Sequence, residues 1–376
     1  MKFVGKRMLI ISPERWGINR ISKHHYAIAL AQRGNQVYFL NPPSQGLKQA
    51  SLSQTEIAGL FQIDYTPVLK GLNKVLTLSE WLFALLNSFD IRKIQKILPD
   101  QPDVVWSFDP FRFQNLKQFN TQISIFHPVD YHPGTIDLKV AKTADIILSV
   151  SSVILDKYRS VNKPLFFINH GVSSVFLDQK KVSEKIDSKI RCGYVGNLLS
   201  FAIDWTNLLQ IVRENDQVEF HFIGPHSKNN LGNVVGTDVY INQLKMCKNV
   251  ILHGALPPED VSLKIQSYDL FLICYNAEAY EKIVSNSHKI LEYLSTGKVV
   301  VASRTTTYDQ STEGVIEMVR YSIELHKRFN EVVNSISTHN AAEEQRKRIE
   351  FSKLNSYENH LIEIEDIISK HINKTL

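Results

Sequence analysis

A lysine and a glutamate three residues apart stand on the first turn of a helix predicted over residues 288–295. Ser287 and His288 lead into this turn, whose unpaired backbone N–H groups suit a bound diphosphate. Lys289 can contact phosphate there, and Glu292 can accept hydrogen bonds from ribose hydroxyl groups. An ordinary ion pair on the helix surface explains the same spacing. The sequence leaves both interpretations open.

Glycines follow three predicted strands in the second half of the chain. They are Gly196 after residues 190–195, Gly224 after residues 218–223 and Gly254 after residues 250–253. Because glycine has no Cβ, such strand ends let the backbone approach a bulky anionic group. Two polar residues stand at equivalent places, Asn197 after the first glycine and Tyr275 after a fourth strand. A tight turn explains each glycine alone, so only the combination predicts a binding edge.

The first half of the chain contains a candidate general base. Asp130 follows a strand predicted over residues 123–127, at the end where acid–base groups of this type of sheet lie. His127, at the end of the same strand, is the second choice. An aspartate that only caps the turn toward Gly134 is the alternative.

A second group of candidates surrounds the first predicted helix, residues 21–33. Arg20 and His24 lie four residues apart, after a loop that contains Trp16. Together these residues can bind a phosphate of an acceptor or donor. Side chains that merely face solvent explain the spacing as well.

Short apolar runs alternate with helix-length amphipathic stretches along most of the chain. The predicted strands cover residues 8–11, 36–40, 103–107, 123–127, 146–150 and 165–168, and then 190–195, 218–223, 250–253, 270–274 and 299–302. Continuous apolar runs separated by crossovers are typical of buried parallel strands. Two such series predict an α/β protein with two Rossmann-like, doubly wound domains that face each other across a cleft.

We place the domain boundaries by composition. The N-terminal domain is expected over residues 1–175, a polar linker over 176–189 and the C-terminal domain over 190–350. The final segment, residues 355–376, is expected to form a helix that packs back on the N-terminal domain.

Composition and charge exclude several classes of protein. The three cysteines are far apart, which argues against a disulfide framework, and no metal-ligand spacing or leader segment is evident. Residues 1–175 contain 20 Lys and Arg against 12 Asp and Glu, a net charge of +8, whereas the remainder has 23 against 26, or −3. No nucleic-acid-binding motif accompanies the basic half. We therefore expect a cytoplasmic protein that needs no metal and binds no nucleic acid.

An apolar helix predicted over residues 76–89 adds a candidate membrane contact. It includes Trp81 and Phe83, and cations flank it at Lys70, Lys74, Arg92, Lys93 and Lys96. Such a helix can lie in a membrane interface with its cations against anionic headgroups, on the inner face of the plasma membrane. A buried helix with basic ends is the alternative.

The order of these motifs resembles the C-terminal half of glycosyltransferases with the GT-B fold. The likeness is closest to the family 4-like group, particularly its teichuronic-acid-biosynthesis type. That group has a Pro-x-Lys-x-x-Glu-Tyr-x-x-x-Gly-Lys-Pro-Val-Val block, which is matched by Lys289, Glu292, Tyr293, Gly297, Lys298, Val300 and Val301. Residues 29–37 and 169–172 resemble hallmarks of the N-terminal half. Val284 stands where many members have a second glutamate, and no cation follows the first glycine motif.

The resemblance implies a sugar transfer from a nucleotide-sugar donor to a glycan or lipid-linked acceptor in cell-surface polysaccharide biosynthesis. It implies donor contacts from Gly196, Asn197, Gly224, Gly254, Tyr275, Ser287, His288, Lys289 and Glu292. The departures keep two alternatives open: a catalytically silent nucleotide-sugar-binding subunit of a glycan-assembly complex, and a sugar-nucleotide epimerase.

Overall fold

The computed structural model describes residues 1–17, 20–69, 80–179, 188–227, 237–309 and 314–371. The chain forms two compact units. The first combines Met1–Asn169 with Tyr357–Leu376, and the second is His170–Ser356. Each unit holds one largely parallel sheet between helices, which confirms the predicted α/β fold with two Rossmann-like domains.

The first unit contains an eight-stranded sheet in the order β3-β4-β2-β1-β5-β6-β7-β8, parallel except between β3 and β4. Its strands are β1 (Arg7–Ile11), β2 (Gln36–Leu40), β3 (Ser51–Gln54), β4 (Leu60–Asp64), β5 (Val104–Ser107), β6 (Ile123–Phe126), β7 (Ile146–Ser149) and β8 (Leu165–Phe167). Within the described residues its first four helices are α1 (Ser22–Gln32), α2 (Glu80–Gln95), α3 (Asp137–Thr143) and α4 (Ser152–Asp156). The part of the predicted apolar helix before residue 80, with Lys70 and Lys74, lies outside the described residues.

Both faces of this sheet are buried. Met8 and Ile10 of β1 belong to one apolar cluster, and Leu9 and Ile11 belong to another on the opposite face. Alternate residues of a strand point to opposite faces, so a sheet covered on both sides needs continuous apolar runs. This requirement explains why the strands could be found from the sequence.

The C-terminal helix α14 (Tyr357–His371) packs within the first unit, against α1. Leu361, Ile364 and Ile368 are fully buried in the cluster that also contains Met8 and Ile10. Burial of each such side chain stabilises the fold by about 1.5–3 kcal/mol. The chain therefore returns to the first unit after completing the second.

The second unit contains a six-stranded parallel sheet in the order β11-β10-β9-β12-β13-β14. Its strands are β9 (Ile190–Val195), β10 (Val218–Ile223), β11 (Val250–Gly254), β12 (Leu270–Ile273), β13 (Val299–Ala302) and β14 (Glu317–Met318). Counted from β9, this is the 3-2-1-4-5-6 order of doubly wound sheets, and its topological switch point lies between β9 and β12.

Nine helices of the second unit lie within the described residues. They are α5 (Ser174–Leu177), α6 (Trp205–Glu214), α7 (Thr237–Met246), α8 (Pro258–Ile265), α9 (Ala277–Val284), α10 (His288–Leu294), α11 (Leu325–Asn334), α12 (Ile336–His339) and α13 (Ala342–Leu354). The unit begins before the predicted boundary because Val172 and Phe176 are buried in its core. Of the predicted linker, residues 180–187 lie outside the described part of the chain. None of the helices searched in that part is long and apolar enough to cross a membrane.

Candidate functional site

Three glycines at the carboxyl ends of adjacent strands form one hydrogen-bonded row in the second unit. The Gly224 N–H donates to the Gly254 carbonyl at 2.7 Å, and the Gly196 N–H donates to the Ile223 carbonyl at 2.9 Å. The row thus joins the ends of β9, β10 and β11, next to the topological switch point. Ligands of doubly wound sheets bind at this edge.

Gly224 cannot be replaced within this geometry. Its φ of +146° is one that other residues rarely adopt, and an added Cβ would lie 1.9 Å from the Gly196 carbonyl oxygen. The ends of β9 and β10 approach each other this closely only because position 224 lacks a side chain.

The loops after β9 and β12 are joined across the switch point. Asp204 caps α6 by accepting a hydrogen bond from the Asn207 N–H at 3.1 Å, and its own N–H donates to the Cys274 carbonyl. The Asn276 N–H donates to the Ala202 carbonyl at 2.9 Å. These contacts hold the backbone after Gly196 in place, and none of them involves a lysine or an arginine.

Tyr275 and Ser287, both predicted in the donor site, are brought together. Burial raises the pKa of Tyr275, and hydrogen bonds with Ser287 and Tyr194 oppose that effect. The Tyr275 N–H donates to the Ser303 hydroxyl at 2.9 Å. Residues that follow β12 and β13 therefore share one polar cluster with the residue before α10.

Helix α10 is tied directly to the end of β9. The Tyr293 hydroxyl accepts a hydrogen bond from the Val195 N–H at 2.7 Å and donates to the Val195 carbonyl at 3.2 Å. The Tyr293 ring is fully buried and stacks on Phe271 with centroids 4.3 Å apart. Position 293 was noted in the sequence only as a match to the family block, and its role in joining α10 to the glycine row became visible in three dimensions.

Lys289 and Glu292 form an ion pair on the first turn of α10. The Lys289 Nζ lies 2.9 Å from Glu292 Oε2, and His288 Nε2 lies 3.9 Å from the other carboxylate oxygen. The Lys289 and Glu292 side chains are 21% and 13% exposed, so the pair is mostly shielded. The His288 ring also contacts His170, with centroids 5.8 Å apart.

Asn197, also predicted in the donor site, is exposed, and its side-chain oxygen accepts a hydrogen bond from the Leu199 N–H.

A chain of polar side chains on β10 and β11 was not predicted from the sequence. The His221 Nδ1 lies 2.9 Å from His253 Nε2, and the other nitrogen of His221 lies 2.8 Å from Glu219. Burial lowers the pKa of both histidines, that of His253 to about 4. The rings are therefore neutral at physiological pH and link the start of β10 to the end of β11, directly before Gly254.

His24 lies in the interior of the first unit. The ring is fully buried, and both of its nitrogens are occupied, since Nε2 lies 2.8 Å from the Arg15 carbonyl and Nδ1 accepts a hydrogen bond from the Ile21 N–H. Burial lowers its pKa. His24 holds the loop after β1 in place in this conformation, and its role in phosphate binding stays a prediction.

Trp16 and Arg20 are joined by a residue that the sequence did not indicate. The Glu56 carboxylate accepts a hydrogen bond from the Trp16 indole N–H at 3.2 Å and forms an ion pair with Arg20. The Arg20 guanidinium also lies over the Trp16 ring, 5.6 Å from its centroid. A phosphate at Arg20 would have to compete with Glu56.

Asp130 and His127 lie in different surroundings. Asp130 is exposed on the loop after β6. The His127 ring is fully buried and stacks on Phe108 and Trp106, with centroids 4.9 Å and 5.9 Å apart. The ring is enclosed by aromatic side chains in this conformation, and the role of His127 as the second-choice base stays a prediction.

Arg112 was also missed, although it organises the same edge of the first unit. It donates to the carbonyls of Ser12 and Asn41, which follow β1 and β2, both at 2.6 Å. Its Nε lies 3.1 Å from Asp109, which follows β5. The two carbonyl groups that it binds are 71 and 100 residues away in the sequence, so no local pattern marks this role. Among the described residues no cluster of His, Cys, Asp and Glu has the arrangement of a metal site.

No protein-family model matches the chain, and no curated protein matches it. Several solved structures are similar to it. The chain is similar to an α,α-trehalose-phosphate synthase (UDP-forming) from Burkholderia xenovorans in complex with glucose-6-phosphate, with a TM-score of 0.71, 9% identity and coverage of 97% of this chain and 100% of that one. It is also similar to sucrose-phosphate synthase from Thermosynechococcus elongatus, with a TM-score of 0.67, 10% identity and coverage of 98% and 100%.

A third similar structure is described as trehalose-6-phosphate from E. coli bound with UDP-2-fluoro glucose. Its TM-score is 0.66 at 10% identity, and the match covers 97% of this chain and 98% of that one. Identities this low establish the fold alone. The chain has the GT-B fold, and the matches extend over both of its Rossmann-like domains.

Proposed function

We propose that this chain is a glycosyltransferase that moves a sugar from a nucleotide-sugar donor to a glycan or lipid-linked acceptor in cell-surface polysaccharide biosynthesis. The observation that carries the proposal is the row of Gly196, Gly224 and Gly254 at the switch-point edge of the second sheet. Two of the similar structures are described with a UDP-sugar analogue or as UDP-forming, which supports a nucleotide sugar as donor. The motif order of the teichuronic-acid-biosynthesis type supports the role in surface polysaccharides.

In the proposed reaction, an acceptor hydroxyl oxygen forms a bond to the anomeric carbon, and the bond from that carbon to the diphosphate breaks. Asp130 accepts the hydroxyl proton, for which its exposed loop position is suited. Lys289 stabilises the charge that develops on the departing diphosphate, while Glu292 accepts hydrogen bonds from ribose. In the structure these two side chains form an ion pair, with Lys289 Nζ 2.9 Å from Glu292 Oε2. Donor binding therefore has to redirect them.

This ion pair also favours a second candidate, a catalytically silent nucleotide-sugar-binding subunit. Residues 197–204 contain no lysine or arginine, so Lys289 is the main cation proposed for the diphosphate. A site whose cation is partly neutralised retains donor affinity more easily than it stabilises a leaving group. The two candidates differ in turnover and agree on binding.

A donor screen tests the binding that both candidates share. The midpoint of thermal unfolding of the full chain is measured in the presence of common nucleotide sugars, the matching nucleoside diphosphates and the matching nucleosides. At 100 times its Kd, a ligand stabilises the folded state by about 2.7 kcal/mol, which raises the midpoint by several degrees. We expect one nucleotide sugar and its diphosphate to do so, and the nucleoside to have little effect. Equal, negligible shifts for all three classes would refute the proposal.

A further inference from the structure

The exposed face of α2 changes from apolar to cationic along its length. Leu82, Leu85 and Phe89 are 37%, 38% and 46% exposed, and Arg92 and Lys96 are exposed as well. These positions are spaced by three or four residues, so they form one stripe along the helix. We call the five residues the α2 stripe.

The opposite face of α2 already supplies the core. Phe83, Ile91 and Ile94 are at most 2% exposed, and so is the carboxylate Asp90. The sequence could not distinguish the two faces, because apolar residues occupy both. Phe83, predicted as a membrane contact, is a core residue, whereas the three apolar side chains of the α2 stripe keep 37–46% of their surface exposed.

The segment before α2 extends the same surface. The Val68 N–H donates to the Asp90 carboxylate at 2.8 Å, and Lys93 donates to the Thr66 carbonyl at 2.9 Å, so residues 66–69 lie along the helix. Val68 and Leu69 are 49% and 40% exposed. Exposed apolar side chains that adjoin in this way mark an interaction surface more strongly than scattered ones.

The charge of this surface is of one sign. Asp90 is the only acidic residue between positions 82 and 96, and it is buried and bonded to Val68. Among the described residues neither Arg92 nor Lys96 forms an ion pair with a carboxylate, and the Arg92 guanidinium lies 6.0 Å from the centroid of the Phe89 ring. A symmetric contact with the same surface of a second copy would bring these cations against each other.

We propose that the α2 stripe, together with Val68 and Leu69, docks the first unit on an anionic lipid surface. The apolar side chains enter the boundary between headgroups and acyl chains, and the two cations contact the headgroup charges. The net charge of +8 over residues 1–175 adds attraction that acts within a Debye length. This property is independent of sugar transfer, and its test uses no activity measurement.

Co-sedimentation of the full chain with vesicles tests the proposal. Vesicles of equal parts phosphatidylglycerol and phosphatidylcholine are compared with pure phosphatidylcholine at low and high salt. We expect binding to the anionic vesicles at low salt, at least tenfold weaker binding to the neutral ones and a sharp loss at high salt. Each cation near an anionic surface contributes about a factor of five in affinity, so R92Q/K96Q should weaken binding about 25-fold.

A second variant separates insertion from charge. L85S/F89S removes two exposed apolar side chains and should weaken binding at least tenfold at unchanged net charge, while its thermal midpoint stays near that of the wild type. The matched control is M246S/I323S, which removes two apolar side chains of the second unit that are 82% and 75% exposed. It should bind as the wild type does. Equal binding of all four proteins, equal binding to both vesicle types, or no binding at low salt would overturn the proposal.

Discussion

Replacement of Gly224 by alanine perturbs the glycine row with a change of one methyl group. The new Cβ would stand 1.9 Å from the Gly196 carbonyl oxygen, whereas real Cβ contacts essentially never fall under 3.0 Å. The ends of β9 and β10 must therefore separate by about 1.1 Å. The positive φ adds a strain of about 1–2 kcal/mol. The variant should fold less stably and hold the proposed donor edge open.

The consequence for function follows from that displacement. A misplacement of about 1 Å commonly costs a factor of about 10² in rate, so we expect Gly224→Ala to lose at least 100-fold in kcat/KM and at least tenfold in nucleotide-sugar affinity by calorimetry. Gly314→Ala is the matched control, because it also places an alanine at a positive φ, +81°, and nothing lies within 4 Å of its added Cβ. If a folded Gly224→Ala variant binds and turns over donor as the control does, the glycine row is not the donor edge.

Other predictions concern single side chains. Glu292→Ala should weaken nucleotide-sugar binding at least tenfold, as loss of a hydrogen bond to a charged group costs about 1.5–3 kcal/mol; unchanged affinity by calorimetry would exclude ribose binding there. Asp130→Asn should lower turnover by about 10²–10⁴ with donor binding intact, and turnover within threefold of wild type would place the base elsewhere. Glu365 is buried and accepts hydrogen bonds from the N-terminal segment and from Arg33, which follows α1, so Glu365→Ala should destabilise the first unit by about 1–3 kcal/mol in urea unfolding, because the buried Phe3 N–H loses its acceptor, against about 0.5 kcal/mol for the exposed Asp366→Ala. Burial lowers the pKa of His360 to about 4. As the pH falls, the unfolded state therefore binds this proton before the folded state does, and the free energy of unfolding should fall by ~3 kcal/mol between pH 6.5 and pH 4. His360→Gln should remove this loss.

The strands of the central sheets were predictable because burial on both faces demands unbroken apolar runs. The bounds predicted for β9, β10 and β13 agree with the structure to the residue. Strands β3 and β4 were missed, and β3, which forms the edge of the sheet, has the sequence Ser-Leu-Ser-Gln and is largely exposed. A short polar edge strand has no periodicity that distinguishes it from a loop.

The candidate site was predictable where its signal is local. Glycines at strand ends and a lysine and glutamate on one helix turn can be found by their spacing. The bonds of Tyr293 to Val195, and of Glu56 to Trp16 and Arg20, join residues 36 to 98 positions apart. Such contacts depend on the packing of the whole unit. His24 shows the same limit in reverse, because helical spacing placed it beside Arg20 but could not show that its ring is buried.

The most direct test of sugar transfer is release of nucleoside diphosphate by the full chain from the donor that the thermal screen identifies. Release is measured with and without candidate acceptors, including lipid-linked glycan precursors, and the product is identified by its mass. The proposed function predicts acceptor-dependent release, a product heavier by one glycosyl unit and loss of both signals in Gly224→Ala. Tight donor binding with no release for any acceptor would contradict sugar transfer and support the silent subunit.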